Sequence, residues 1–361
     1  MYQSRKSWLI LVALIVLIRL WAFFPEWVER GYSNGLYPLI SRLQRLLLGW
    51  IPFSIGDLLY GAAAIYLLVL LVRGLRAVCR KKPNGAKAFW WGGLQRIVFW
   101  CGWIYVVFNL LWGLNYNRQG VARQMQLQMQ PYSNEELRMA VGQIIQRLEQ
   151  THAAAVRGRA RFGSKRLLFD EARRCYDVAE PRYPFLHYRI NSVKPSLFSY
   201  LGDYLGFTGY YNPFSGEAQV NTTVPVFVLP FTTCHEMGHQ LGYAKENEAN
   251  FAGYLSARSS ADTAVLYSVY FDLYAYGMRE LYRRDSAAAK EMKKQVPAQV
   301  KQDLAALRAF YDRYQNPFEP LITRLYSQYL RANQQPSGMR SYSEVMAFLI
   351  AYGKKYGWEA L

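Results

Sequence analysis

The chain has 361 residues, 52% of them hydrophobic, yet its mean hydropathy is only -0.09, so the apolar residues must be unevenly spread, and they crowd into the first third. The formal net charge of +18 comes from scattered lysines and arginines with no nucleic-acid-binding motif, which favours anionic lipid headgroups over nucleic acid as the partner. Four cysteines (Cys79, Cys101, Cys175 and Cys234) form no C-x-x-C pair, which speaks against a cysteine-based metal site.

Three apolar segments come first, at about 8–24, 55–72 and 97–114. Each approaches the ~20 residues that a helix needs to cross the hydrocarbon core, and a helix satisfies its own backbone there. Arg19 and Asp57 lie towards the ends of their segments, as interfacial residues do. Arg5 and Lys6 precede the first segment, but no small-x-small cleavage site follows it, so it reads as a retained anchor. Arg73, Arg76, Arg80, Lys81, Lys82, Lys87 and Arg96 make the second connection strongly basic, whereas the first has only Arg30, Arg42 and Arg45. The positive-inside rule then puts the N-terminus and the second connection in the cytoplasm, and everything after about Tyr116 outside. The expected division is a membrane region over 1–116 and an extracytoplasmic domain over 117–361.

In that second region, Ser133 to Glu136 is a capping box that opens a helix to about Gln150. Phe207–Tyr211 and Glu217–Asn221 are short β-like runs around the turn signals of Asn212–Gly216, which predicts a hairpin. From Phe231 the chain reads as helical nearly to its end, with another capping box at Ser341 to Glu344. Mostly α, with a small β-hairpin or sheet, is the expected fold class.

Two of the chain's four histidines fall in His235-Glu236-Met237-Gly238-His239. Residues four apart share one helix face, so His235 and His239 can hold one metal. Glu236, turned to the side, can act on a metal-bound water as general base. One Zn²⁺ ion suits these nitrogen and oxygen ligands. Thr233 and Glu236 also have capping-box spacing, although Pro230 offers a better helix start. Gly242 is a typical helix-ending glycine, and a second helix opens with Glu246-Asn247-Glu248-Ala249-Asn250. If the two helices fold back on one another, Glu246 faces His239 as third ligand, and Asn250 faces the far nitrogen of His235. Glu248 is the rival third ligand.

H-E-x-x-H followed by E-x-x-A-D is the glutamate-zincin pattern, and HEMGH followed by ENEAN resembles it, with Asn250 in place of the usual aspartate. The chain as a whole resembles a bacterial family of membrane proteins, domain of unknown function 3810. The stretches that carry this resemblance are LLWGLNYNR from Leu110, KPSLFSYLGDYLGFTGYYNPFSGEAQVN from Lys194, HEMGHQLGYAKENEANF from His235 and SYSEVMAFLIAY from Ser341. The zincin resemblance implies a zincin-like helical domain and a peptidase acting on a peptide or protein, while the resemblance to the bacterial family, with the apolar segments, implies a multi-pass protein of the bacterial cell membrane. It also implies substrate held as an added strand at a sheet edge, for which Glu217, Ala218, Gln219, Val220 and Asn221 are the candidates. An oxyanion donor is expected as well, with Tyr210, Tyr211, Tyr254 and Arg258 as candidates. Two other functions are a non-catalytic metal-binding scaffold of the envelope and a hydrolase of a cell-wall amide.

Overall fold

The computed structural model describes residues 4–79 and 86–361, with the side chains of 77–79 and 86–90 outside the description. Arg80, Lys81, Lys82 and the side chains of Lys87 and Cys79, used above for topology and cysteine pairing, therefore lie outside it.

Helix α1 (Arg5–Ala22) stops where Pro25 removes a backbone donor and holds Phe24 out of the helical region (φ -115°, ψ 83°). The chain then passes through a wide helical turn over Val28–Leu36 into α2 (Tyr37–Leu48). Helices α3 (Ile55–Cys79) and α4 (Ala86–Leu111) follow. Among the described residues they contain two stretches long and apolar enough to cross a bilayer, Ile55–Arg76 and Trp91–Leu111. The first apolar segment makes a third if α1 and the chain from Pro25 to Leu48 are taken as one span bent by 99°, so two or three of the expected spans are supported. The predicted end of the last span is corrected. The helix closes at Leu111, and Trp112 and Leu114 turn inward as buried residues around a short 3₁₀ segment, Gly113–Asn117.

The remaining chain is helical around one small sheet. Helix α5 (Asn134–Gly158) starts at the predicted capping box, with Ser133 N donating to Glu136 Oε2 and Glu136 N to Ser133 Oγ. It runs past the expected end and packs along α10 (Thr263–Arg284). Between them in sequence come α6 (Lys165–Ala179), β1 (Val193–Pro195), α7 (Ser199–Leu205), β2 (Gly209–Asn212), β3 (Glu217–Val220), α8 (Leu229–Gln240) and α9 (Glu246–Ala257). After α10 come Ser286–Lys294, Ala298–Asp312, α11 (Glu319–Ala332) and α12 (Val345–Tyr356). The second expected capping box does not form. Ser341 Oγ donates to the Gly338 carbonyl within a 3₁₀ turn, and α12 begins only at Val345.

The hairpin of β2 and β3 is present, but the sheet order is β1-β3-β2, with β1 parallel to β3. Glu217–Val220 is therefore the central strand, which corrects its assignment as a substrate-holding edge. A parallel partner comes from a non-local part of the chain and leaves no local sequence signal. Glu217 itself serves α3. Its carboxylate accepts from Gly56 N at 2.6 Å, Ile55 N at 3.2 Å and Ser54 Oγ at 3.3 Å, satisfying donors at a helix start that have no partner within the helix. Asp57 is likewise no interfacial residue. It is fully buried and accepts from Leu197 N at 2.7 Å and Tyr210 Oη at 2.6 Å.

Among the described residues, two hydrophobic cores result. The larger lies among α5, α6, α8, α9, α10 and α12. The smaller joins α1 and α4 to Tyr32, Tyr37 and Trp112, and reaches Tyr211 and Ala244 beside the histidine helix.

Candidate metal centre

Helix α8 begins at Leu229 with Pro230 in its first turn, and Thr233 Oγ1 bonds back to the Leu229 carbonyl inside the helix. Thr233 and Glu236 are thus helix-interior residues and not a cap. The helix ends as the sequence predicts. Gly242 takes φ +86°, Gly242 N bonds the His239 carbonyl and Tyr243 N the Gly238 carbonyl, the paired closure of a left-handed terminal glycine. A side chain at 242 would also run into Tyr37 and Asn115.

Helix α9 folds back along α8. The two approach so closely that a Cβ on Gly253 would lie 3.1 Å from the His235 backbone. This pairing brings His235, His239 and Glu246 together, each offering one ligand atom within 4.8 Å of the others. His235 Nε2 and His239 Nε2 lie 3.3 and 3.5 Å from Glu246 Oε2. All three residues are buried, and Glu246 Oε2 has no hydrogen-bond partner. Tetrahedral zinc with bonds of ~2.0–2.1 Å sets neighbouring ligand atoms roughly 3.4 Å apart. The spacing, the burial and the orphaned oxygen all fit such an ion.

The electrostatics agree. Burial works against an ionised Glu246, but the two imidazoles facing it hold its carboxyl well below the usual range. His235 is pushed down by burial, whereas Glu246 outweighs burial at His239 and raises it. Each ring has an outer neighbour. His239 Nδ1 is 2.7 Å from the Tyr243 carbonyl, which fixes the proton there and leaves Nε2 free to ligate. His235 Nδ1 and Asn250 Oδ1 are both buried without a closed hydrogen bond, and the Asn250 side chain opposes the lowering of His235. Glu248 is buried but turned towards Gly120 and Arg118, outside the cluster.

Glu236 projects beside the cluster. Burial pushes its carboxyl up to about 8, with His239 opposing the rise and Glu246 adding to it. Its Oε2 has no partner. The outer strand β2 lies directly against it, because a Cβ on Gly209 would come 2.6 Å from Glu236 Oε1. Only glycine permits that approach. An alanine at 209 would therefore force the Glu236 side chain to move.

A cavity of about 540 Å³ stands over the cluster, lined by Gly209, Tyr210 and Tyr211 of β2 and by His235, Glu236, His239 and Glu246. Of the four predicted oxyanion donors, Tyr210 and Tyr211 line it. Tyr210 Oη is already held by Asp57 and Ser196, and Tyr211 Oη lies 3.4 Å from Tyr37 Oη. Tyr254 and Arg258 do not line it. Arg258 instead bonds Tyr352 Oη and the Ala360 carbonyl, with its guanidinium over the Tyr254 ring. No pattern in the sequence singles out Tyr326 or Tyr342 as site residues. Tyr326 donates to Glu246 Oε1 at 3.1 Å, Tyr342 Oη is 3.1 Å from Tyr326 Oη, and the Tyr342 ring stacks on His235. Tyr326 lies 80 residues beyond Glu246, too far for any local pattern.

The back of α8 is held by the chain's first third. Trp112 Nε1 donates to the His239 carbonyl at 3.1 Å, and Tyr37 Oη and Ser41 Oγ donate to that of Gln240. Arg118 binds the Gly242 carbonyl while pairing with buried Glu29 at 2.7 Å. Cys175 of α6 meets Cys234 of α8, and that contact together with burial pushes the Cys175 thiol up. Both are free thiols.

Fold and site together define a mostly helical chain that carries apolar, membrane-type helices and a buried cluster of two histidines and one carboxylate. The chain belongs to the family described as "Protein of unknown function (DUF3810)", whose model matches residues 32–350. Neither the curated proteins nor the solved structures contain a match to it.

Proposed function

We propose that this chain is a membrane-anchored zinc metallopeptidase of the glutamate-zincin type. The observation that carries the reading is the convergence of His235 Nε2, His239 Nε2 and Glu246 Oε2 with no partner for that oxygen, beside an unpartnered Glu236 carboxylate. Zinc, when bound there, supplies a Lewis acid that polarises a carbonyl and makes a water acidic. The chain's own residues do the rest. Glu236 Oε2 takes the proton of the attacking water and returns it to the leaving amine. Tyr326 and the Tyr243 carbonyl hold Glu246 and His239 in position. β2, an edge strand of the sheet, lines the cavity and pairs with the backbone of an extended substrate. Purified full-length protein loaded with zinc should cleave peptides from a mixed library, lose that activity to a chelator and regain it with zinc. A zinc-loaded protein that cleaves no peptide overturns the reading.

The membrane arrangement belongs to the same proposal. With three crossings, the basic connection after α3 lies in the cytoplasm and the metal centre outside. A reporter fused after Gly120 is expected to be active only outside the cytoplasm, and one fused near Lys82 only inside. The opposite pattern overturns the assignment.

A further inference from the structure

The cavity over the metal centre opens against the membrane helices. Tyr60 of α3 and Ile104 and Phe108 of α4 line it. Tyr60, Ile104, Leu201 of α7 and Tyr329 of α11 both line it and remain exposed, at 38%, 57%, 53% and 42%, so they mark its mouth. At 1.5 Å per residue, these α3 and α4 positions lie roughly 5–10 Å inside the helix ends that meet the site. All three positions fall within the apolar stretches Ile55–Arg76 and Trp91–Leu111. The lip of α7 continues the apolar surface, with Tyr200 72% exposed. An opening to water would not be expected to combine apolar side chains from two membrane-type helices.

We infer that the site receives its substrate sideways from the bilayer, as a polypeptide whose cleaved bond adjoins a membrane-embedded apolar segment. This rests on the peptidase reading above. The apolar mouth accepts the embedded segment, and β2 offers main-chain pairing that a lipid tail cannot use. The adjoining stretch of chain then passes from the mouth at Leu201 to Gly209 and Glu236 at the floor.

The test uses the full chain carrying Glu236→Gln in lipid nanodiscs, so that binding is read without turnover. One probe is a synthetic peptide with an apolar segment of about 20 residues joined to a polar spacer bearing a photoreactive residue. The other is the spacer alone. The anchored probe is expected to label Ile104, Phe108 and Leu201 with at least about tenfold the yield of the spacer. Equal labelling by the two probes, or labelling that misses these three residues, would overturn the inference. An N-acylated spacer that labels as well as the anchored peptide would also overturn it, in favour of a lipid-modified substrate. Labelling as expected, with no peptide cleaved by the wild-type protein, would leave this binding mode standing and remove only the peptidase reading.

Discussion

Glu236→Gln is expected to keep zinc at near wild-type occupancy and to lower hydrolysis by ~10²–10⁴-fold, the usual worth of a general base. Two structural facts set this expectation. Glu236 is not among the three converging ligand atoms, so the amide leaves them as they are. Its Oε2 is buried and has no hydrogen-bond partner in the chain, so nothing there competes for the proton it would take. An amide of nearly the same shape cannot take a proton at neutral pH. Metal analysis and an activity assay on the same preparation separate the two effects. Full activity would mean that Glu236 is not the base. Equal loss of zinc and activity would mean that it supports the fold of α8 instead.

The second large effect concerns the ligands. His235→Ala and Glu246→Gln should each weaken zinc binding by at least ~10²-fold, since losing merely an outer hydrogen-bond partner already costs ~10–100-fold. Glu248→Gln should leave zinc bound, because its carboxylate is turned to Gly120 and Arg118. Competitive titration against a chromophoric chelator measures all three. The contrast between the two glutamates is the informative part. They lie two residues apart on α9, so they point to different sides of the helix. Zinc lost from Glu248→Gln and kept by Glu246→Gln would show that the hairpin of α8 and α9 binds metal in a different register.

Much of the candidate metal centre was legible in the sequence because it is local. The spacing of four between His235 and His239 is a helix property, and Gly242 ends that helix through its own left-handed conformation. Glu246 then starts the next helix, and a tight turn leaves that helix little choice but to return along the first. Ser133 and Glu136 announced α5 in the same way, through bonds that span three residues. What the sequence could not decide depends on distant segments meeting. Glu217 looked like part of a substrate edge until β1 covered its strand and α3 began on its carboxylate. Asp57 looked interfacial until the loop at Leu197 and Tyr210 closed over it. Tyr326 and Tyr342 came to Glu246 and His235 from far along the chain. Periodicity and caps are written in neighbouring residues. Strand order, cavity walls and the partners of buried carboxylates are set by packing, which brings together residues that no short window contains.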